Sequence, residues 1–429
     1  MGEGVDLPQQ ATAPRCATVA VIGLGYVGLP TALSLHAAGH TVVGVDVSGR
    51  RLADVSELRV DLAPAQRELL VTALGREDFR LSRDPAEVAD ADAVIICVPT
   101  PVDRHHVPDL TALSAACASA VEHARPGQLL VLTSTSYVGT TRDLLVGPLS
   151  ERGLEADTDV FVAFAPERID PGNPAHSPDR TPRVVGGAGP RSTQLAASLL
   201  AGTAPSIHRV DSPETAEMSK LWENTFRAVN IALANELADA CVELTLDPRE
   251  VVEAAATKPY GFLPFYPGPG VGGHCIPCDP HYLLWQLKAL RSAAPLVDSA
   301  MSAIAARPGA VVRRAREALA ERGVTPAGAR VLVLGVAYKP AVADVRESPA
   351  LEIIDGLSAL GADVAYSDPL VPELDRAGAV RRSLAAPEDH DWDLILVHTD
   401  HPGTDLSWLS DRPGVLELTH RRPAAAGAA

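Results

Sequence analysis

The hydrophobic residues of this chain follow two patterns, short continuous apolar runs and longer stretches with helical spacing. In the first half, apolar runs bounded by glycine, proline and polar residues predict buried strands. These predicted strands are Ala17–Ile22, Thr41–Asp46, Ala91–Thr100, Gln128–Thr141 and Asp159–Gly172. The stretch Leu29–Ala38 between the first two has helical spacing, so strand and helix alternate as they do around a parallel sheet.

From about Ser212 the pattern changes to long helices. The stretch Pro213–Leu246 keeps helical spacing throughout and begins with Pro and Glu, which favour the first turn of a helix. A second helical stretch, Pro280–Arg322, is predicted to be interrupted at Pro308. Alternation then returns, with predicted strands at Arg330–Tyr338, Ala362–Asp368 and Asp393–Thr399 and a predicted helix at Leu351–Leu360.

These patterns predict an α/β fold in which two Rossmann-like doubly wound domains are joined by a central long-helix domain. The expected divisions are a disordered tail at 1–15, a first wound domain at 16–206, a central helical domain at 207–322 and a second wound domain at 323–429. The tail lacks the basic and apolar regions of a signal peptide, and no apolar run reaches transmembrane length. We therefore expect a cytoplasmic protein with reduced thiols.

The first predicted strand runs directly into a Gly-x-Gly-x-x-Gly turn that opens a helix, which is the context of a dinucleotide-binding site. Gly23 permits the turn, Gly25 lets a pyrophosphate approach the backbone, and Gly28 allows close packing of the helix. Asp46 is placed to accept the ribose hydroxyls and to repel a 2′-phosphate, which favours NAD over NADP. Arg51 is a residue type that can bind a 2′-phosphate, so it leaves NADP open.

Polar residues follow three of the later strands. Thr100 and Thr135 each come after an apolar run, and Glu167 and Arg168 end the next run. Because ligands in open sheets bind beyond the carboxyl ends of the strands, these four residues belong to the candidate site.

The long helix carries a polar stripe, formed by Lys220, Asn224 and Arg227, whose spacing of four and three residues places them on one face. A solvated face is the ordinary interpretation of such a stripe. Because large apolar residues such as Trp222 and Phe226 flank it, we favour a buried or ligand-facing stripe. The helix has more apolar residues than its own domain can cover, which predicts a homodimer built on it.

A glycine-rich segment, Pro267–Pro280, places the thiol of Cys275 at its end and the acid Asp279 four residues later. Glycines let backbone approach a ligand closely, and the flanking prolines stiffen the segment. This arrangement predicts an exposed, positioned nucleophile.

Two other chemistries are compatible with the same segment. A zinc site could use His274, Cys275, Cys278 and His281. However, two of these ligands are neighbours in the chain and prolines lie between the others, which makes a tetrahedral arrangement difficult, so no metal is predicted. A redox Cys-x-x-Cys pair is the second alternative. That motif normally opens a helix, whereas here it is predicted to lie in a loop rich in proline and glycine.

The net charge and the third region, which is the second wound domain expected at 323–429, indicate which ligands the protein binds. The net charge of -17 argues against nucleic acid and anionic membranes as partners. The first turn of the third region, beginning at Gly335, lacks the second and third glycines of a dinucleotide site. Lys339 and Arg346 give this region cations, so we expect it to bind another phosphate-bearing ligand.

Seven segments in order resemble the UDP-glucose/GDP-mannose dehydrogenase family: GLGYVGLP, ICVPTP, STSYVGTT, APERIDPGNP, KLWENTFRAVNIALANE, GPGVGGHCIPCDP and VAYKPAVADVRESPAL. The resemblance covers essentially the whole chain past residue 16. The segments PERIDPGNP and KPYGFLPFYPGPGVGGHC are more similar to the branch that acts on UDP-N-acetylhexosamines, especially the UDP-N-acetylglucosamine 6-dehydrogenases.

The resemblance implies a role for each matching residue. Cys275 would be the nucleophile, Lys220 and Asn224 its oxyanion-side partners and Asp279 an acid or base, with Thr135 or Glu167 holding water. The implied nucleotide-sugar contacts are Arg168, Ile169, Lys220, Asn224, Arg227, Lys258, Tyr260, Gly272, Tyr338 and Lys339. The implied NAD contacts are Gly23, Gly25, Tyr26, Val27, Gly28, Asp46, Arg51, Thr100, Thr135 and Arg346. The chain departs from the family at Val138, at Cys278 and over residues 305–308.

The implied reaction is the twofold, NAD-dependent oxidation of the C6 alcohol of a UDP-N-acetylhexosamine, with UDP-N-acetylglucosamine favoured, to a uronic acid for glycan synthesis. It would pass through a thiohemiacetal and a thioester on Cys275. UDP-N-acetylmannosamine and UDP-glucose are alternative substrates. A single-step β-hydroxyacid dehydrogenase or a non-catalytic NAD-binding protein is more remote, since neither uses Cys275.

Overall fold

The computed structural model describes residues 16–103, 105–168, 180–376, 379–410 and 412–419. The chain divides into two compact units, Met1–Leu221 and Trp222–Ala429. The predicted tail at 1–15 and Ile169 lie outside the described residues. In the parts of the chain that are described, no helix is both long enough and apolar enough to cross a membrane.

The strands are β1 (Thr18–Ile22), β2 (Thr41–Val45), β3 (Phe79–Ser82), β4 (Ala93–Ile96), β5 (Leu129–Leu132), β6 (Phe161–Phe164), β7 (Arg183–Gly187), β8 (Ile207–Val210), β9 (Arg330–Leu334), β10 (Asp363–Ser367), β11 (Glu373–Arg376), β12 (Ala379–Arg382), β13 (Leu394–Val397) and β14 (Val415–Glu417). The α-helices are α1 (Gly28–Ala37), α2 (Gly49–Ser56), α3 (Pro64–Leu74), α4 (Thr111–His123), α5 (Gly147–Glu151), α6 (Pro190–Leu200), α7 (Pro213–Glu243), α8 (Pro248–Ala256), α9 (Asp279–Ala289), α10 (Pro295–Glu321) and α11 (Pro349–Ala359). Short 3₁₀ helices lie at Pro85–Asp90, Ala201–Thr203, Pro387–Asp389 and Ser407–Leu409, and a π-helical turn lies at Arg142–Val146.

The first unit is built on a sheet with the strand order β3-β2-β1-β4-β5-β6-β7-β8, in which β6 and β7 pair antiparallel and the other neighbours are parallel. The order reverses between β1 and β4, which is the switch point of a doubly wound sheet. Successive residues of β1 face opposite sides, so Val19 and Val21 join one hydrophobic core and Ala20 joins the other. The doubly wound sheet predicted for the first part of the chain is therefore confirmed.

Helix α7 follows the prediction closely but ends at Glu243 rather than at Leu246. Its last turn closes because the N–H of Thr245 bonds to the carbonyl of Val242 and the N–H of Leu246 to that of Cys241, at 3.2 and 2.8 Å. Thr245 has φ 56°, the left-handed conformation that ends many helices.

The predicted interruption at Pro308 is wrong. Helix α10 continues through Pro308, and the break lies at residues 290–294, where Arg291 has φ 54° and Pro295 begins the next helix. An internal proline costs about 3 kcal/mol of helix stability. Packing on both sides offsets this cost, because α10 contributes Met301 to one core cluster and Val311 to another.

The second unit contains a parallel sheet of order β10-β9-β13-β14 and a separate antiparallel pair, β11 and β12. Val331 and Val333 on one face of β9 pack with α10 and α11, and Leu332 and Leu334 on the other face pack with loops that include Trp392. This second wound sheet and the long helices confirm the predicted fold class. The boundaries of the three predicted domains stay a prediction.

Candidate active site

The glycines of the first turn serve different purposes. Gly23 has φ 86°, and a Cβ there would lie 2.4 Å from the carbonyl oxygen of Cys97. At Gly28 a Cβ would lie 1.8 Å from the carbonyl oxygen of Gly23. Gly25 is exposed, and a Cβ there would meet no atom within 4 Å. Protein packing therefore requires glycine at the first and third positions and leaves the backbone at Gly25 open for a ligand.

Asp46 follows β2 and is held by the same turn. Its two carboxylate oxygens accept the N–H groups of Leu24 and Ser48, each at 2.9 Å. Arg51 donates from Nε to the carbonyl of Leu24 at 2.7 Å, so its side chain supports the turn as well. Asp46 is partly exposed and each oxygen keeps a further lone pair, which fits the two hydroxyls of a ribose.

The predicted residues at the strand ends lie at one edge of this sheet. Thr100 and Thr135 are partly buried and follow the neighbouring strands β4 and β5, and Glu167 follows β6. Glu167 forms an ion pair with the buried Arg183 and accepts the N–H of Arg168 at 2.8 Å. The carboxylate of Glu167 is therefore held in a fixed orientation at the end of β6, and each of its oxygens keeps a further lone pair.

Glu217, which was not predicted as a site residue, is a fully buried acid in the first turns of α7. Its carboxylate accepts the N–H of Gly139 at 2.6 Å, and both the N–H and the hydroxyl of Thr141, at 2.8 and 2.6 Å. Burial raises the pKa of Glu217, and these hydrogen bonds oppose that rise. Glu217 anchors the start of α7 to the loop after β5, three residues before the buried Lys220. The sequence signal for Glu217 was its spacing of three residues from Lys220, which places both on the same side of the helix.

The polar stripe of α7 is only partly as predicted. Asn224 is 5% exposed and donates from Nδ2 to the carboxylate of Asp279, which is 4% exposed. Lys220, one turn before Asn224, is also buried, whereas Arg227 is exposed. The structure thus joins the predicted helix stripe to the predicted acid through a buried hydrogen bond.

Cys275 is exposed and lies one turn before α9. Its carbonyl accepts the N–H groups of Cys278 and Asp279, at 3.2 and 2.8 Å. The two cysteines therefore lie in the turn that opens α9, with Cys278 buried, so the segment does open a helix. No group of three metal-ligating side chains is found among the described residues.

The glycine-rich segment packs closely against the loop between β9 and α11. A Cβ at Gly272 would lie 2.6 Å from Cβ of Tyr338, and the N–H of Gly273 donates to the carbonyl of Arg346 at 3.0 Å. Gly270 lies against Pro349, where a Cβ would be 2.7 Å from the ring. Three predicted residues, Gly272, Tyr338 and Arg346, are therefore brought together within the second unit.

The remaining predicted cations differ in their surroundings. Lys258 lies over the ring of the exposed Tyr260, with 4.9 Å from Nζ to the ring centroid. Arg346 pairs with Asp344 at 2.6 Å, and Lys339 is partly buried. Contact of Arg346 with NAD stays a prediction.

The acid after the second strand of the C-terminal sheet is used differently from Asp46. Asp368 is buried, and one of its oxygens accepts the N–H groups of Val336 and Ala337, at 2.7 and 3.1 Å, and contacts Nε2 of His401 at 3.1 Å. Burial would raise the pKa of Asp368, but the hydrogen bonds from His401 and Val336 hold it below its usual value. The other oxygen of Asp368 accepts the N–H groups of Leu370 and Val371, at 2.8 and 3.1 Å, so neither oxygen is open to a ribose. This agrees with the expectation that the second wound sheet does not bind a dinucleotide.

Comparison with protein families covers all three regions. Residues 17–202 match the NAD binding domain of the UDP-glucose/GDP-mannose dehydrogenase family, residues 214–303 its central domain and residues 332–410 its UDP binding domain.

Individual relatives align over most of the chain. It is 36% identical over 344 residues to NDP-N-acetyl-D-galactosaminuronic acid dehydrogenase from Ralstonia solanacearum, covering 79% of each protein. It is 35% identical over 367 residues to UDP-N-acetyl-D-glucosamine 6-dehydrogenase from Pseudomonas aeruginosa, covering 82% of this chain and 83% of that protein. The solved structure of UDP-D-ManNAc dehydrogenase from Pyrococcus horikoshii superposes with a TM-score of 0.85 at 30% identity, covering 95% of this chain and 97% of that one. The predicted resemblance is thereby confirmed, and the chain belongs to the UDP-glucose/GDP-mannose dehydrogenase family of NAD-dependent oxidoreductases.

Proposed function

We propose that this protein oxidises the C6 alcohol of a UDP-N-acetylhexosamine to the carboxylic acid in two successive steps, with UDP-N-acetylglucosamine as the favoured substrate. The observation that carries the proposal is the exposed thiol of Cys275 in the turn that opens α9, with the buried pair Asn224 and Asp279 at the end of the same turn. A one-step alcohol dehydrogenase has no use for such a thiol.

The residues of the first turn fit NAD, since Gly25 leaves backbone open and Asp46 is held with free lone pairs. We propose that Gly23, Gly25, Gly28 and Asp46 hold the cofactor, together with Tyr26, Val27, Arg51, Thr100, Thr135 and Arg346. NAD, when bound, supplies the hydride acceptor for each oxidation.

The chain's own residues handle the carbon and the protons. The thiolate of Cys275 adds to the aldehyde carbon produced by the first oxidation, which forms a C–S bond and places the negative charge on oxygen. Loss of hydride from this adduct leaves a thioester, and water then cleaves the C–S bond and releases the acid and the thiolate. Asp279 accepts or donates the protons, and Thr135 and Glu167 are proposed to hold the water.

Negative charge develops on the oxygen of the adduct with Cys275, and preorganised hydrogen-bond donors would stabilise it. The ammonium of Lys220 and the amide of Asn224 come from consecutive turns of α7 and are both buried, which strengthens their electrostatic effect. Because Nδ2 of Asn224 donates one hydrogen to Asp279, its orientation is set before substrate binds, and its second hydrogen is available to the oxygen.

Two observations support an N-acetylhexosamine as the sugar of the substrate. Each of the three relatives described above is named for an N-acetylated amino sugar, as galactosaminuronic acid, glucosamine or mannosamine. The segments PERIDPGNP and KPYGFLPFYPGPGVGGHC are similar to the branch acting on such sugars. The UDP-sugar contacts are proposed to come from Arg168, Ile169, Lys220, Asn224, Arg227, Lys258, Tyr260, Gly272, Tyr338 and Lys339.

We also propose a homodimer formed through α7. Trp222, Phe226 and Leu233 lie on one stripe of this helix and are 55%, 44% and 61% exposed. Positions 4 and 11 residues apart differ by only about 20–40° around a helix, so these side chains form one continuous apolar surface. A second copy of the same surface would cover these side chains, as in a twofold-symmetric dimer.

The test is a panel of UDP-sugars assayed for NADH release and for acid by mass spectrometry. We expect UDP-N-acetylhexosamines to react best and to give two NADH per acid. Cys275→Ser should lose turnover while still binding UDP and NAD, because a serine hydroxyl is a far weaker nucleophile at neutral pH.

Cys278→Ser is the matched control, since this thiol lies in the same turn but is buried, and most activity should remain. One NADH per product, or equal loss in both variants, would contradict the proposed mechanism.

A further inference from the structure

Helix α7 contacts both ends of the glycine-rich segment that carries Cys275. Near the start of the segment, Oδ1 of Asn235 accepts the N–H of Gly268 at 2.9 Å. At the end, Nδ2 of Asn224 donates to the carboxylate of Asp279. Cys275 lies between these two attachment points, so one rigid element sets the positions of both ends of its segment.

The spacing of the two asparagines makes this possible. They are separated by 11 residues, which is about 16 Å along a helix and about 20° around its axis. Both side chains are 5% exposed and therefore lie on the buried face of α7. This face is about 200° around the helix from Trp222, whose stripe is exposed.

Arg307 of α10 completes the attachment of Gly268. Its Nε donates to the carbonyl of Gly268 at 3.2 Å, and its Nη1 donates to the two carboxylate oxygens of Asp239 at 2.7 and 2.9 Å. Arg307 is 5% exposed, and Asp239 lies one turn after Asn235 on α7. Both backbone polar groups of Gly268 are thus bonded to side chains of the two long helices.

We propose that Asn235 and Arg307 are positioning residues for the nucleophilic turn. Four glycines in the segment Pro267–Pro280 give its backbone wide conformational freedom, and fixing such a backbone has an entropic cost. The bonds at Gly268 supply that restraint from outside the segment, so that Cys275 is held in a reactive geometry before substrate arrives. The link to catalysis rests on the proposed function, whereas the restraint itself does not.

The first test replaces Asn235. In Asn235→Ala we expect kcat to fall about tenfold or more, because a small displacement of a nucleophile has large effects on rate. The KM for NAD should change less than kcat, since the predicted ribose and pyrophosphate residues lie in the first unit and, of the proposed NAD contacts, Arg346 is the one bonded to the loosened segment. Amide exchange over residues 270–276 should become about fivefold faster, which corresponds to the loss of a hydrogen bond that contributes about 1 kcal/mol.

Two variants make the test specific. Asn235→Asp keeps an oxygen that accepts the N–H of Gly268 and should restore kcat and slow exchange. Asn230→Ala removes an asparagine of the same helix that donates to its own helix at the carbonyl of Phe226, and it should behave like the parent protein.

Arg307 is tested through its exposed partner, because truncating a buried arginine could prevent folding. Asp239 is 57% exposed, so Asp239→Ala should fold and should release the guanidinium from its second anchor. We expect faster exchange over the same residues and a lower kcat, both to a smaller extent than in Asn235→Ala.

The proposal is overturned if exchange over residues 270–276 is unchanged in Asn235→Ala. It is equally overturned if exchange rises throughout the protein and kcat falls only with the folded fraction, or if Asn235→Asp fails to restore either quantity. If no UDP-sugar is oxidised by the parent protein, the proposed function fails, and the exchange comparison still decides whether Asn235 restrains the segment.

Discussion

The hydrogen bond between Asn224 and Asp279 allows a quantitative prediction about catalysis. Both side chains are about 95% buried, so water cannot replace a lost partner freely. A hydrogen bond to a charged group contributes about 1.5–3 kcal/mol. Asn224→Ala removes this bond and also removes the second amide hydrogen proposed to stabilise the oxyanion.

If the lost interactions act in the transition state, kcat should fall by about 10- to 150-fold in Asn224→Ala. The KM for the UDP-sugar should change by less, because transition-state interactions lower kcat and kcat/KM together. The assay is steady-state NADH release at saturating NAD, with thermal unfolding measured in parallel to show that the variant is folded.

Asn230→Ala is again the matched control, because it deletes the same side chain one to two turns further along the helix without touching an acid. The reasoning is refuted if Asn224→Ala retains kcat within about twofold, or if Asn230→Ala loses as much activity.

Three further predictions concern other residues. Asp46→Ala should narrow the preference for NAD over NADP in kcat/KM, and a parent enzyme that already prefers NADP would instead point to Arg51. Phe226→Glu should give a monomer in light scattering at micromolar concentration, because a charge would then lie in the apolar stripe of α7, and a monomeric parent protein would reject the dimer. Burial lowers the pKa of His398 to about 4, so the unfolded chain binds a proton near pH 6.5 that the folded chain does not, and stability should fall as the pH drops. By pH 5 the free energy of unfolding should have fallen by about 2 kcal/mol through this group. Urea unfolding at several pH values should show a weaker pH dependence of stability in His398→Gln than in the parent protein.

Much of the fold was determined locally by the sequence. Continuous apolar runs predicted the central strands, because a strand buried on both faces needs no polar positions. The glycine turn from Gly23 to Gly28 and the strand that precedes it also had a local signature, since turn geometry depends on few residues. The exposed thiol of Cys275 followed in the same way from the prolines and glycines around it.

Other features depended on contacts distant in the sequence. Pro308 has a local preference to end a helix, and only packing of α10 into two cores explains why the helix continues. Asp46 and Asp368 occupy equivalent places after a second strand, and both accept an N–H of the preceding turn, yet only Asp368 is fully buried and contacts a histidine, His401.

The candidate site shows the same division. The residue types of Lys220, Asn224 and Asp279 and their spacing were readable from the sequence. The bond from Asn224 to Asp279, the anchoring of α7 by Glu217 and the attachment of Gly268 join residues that are 33–78 positions apart. Local patterns cannot predict such pairs, because their geometry is set by how helices and loops pack, and only the tertiary structure decided which polar side chains hold the reactive turn in place.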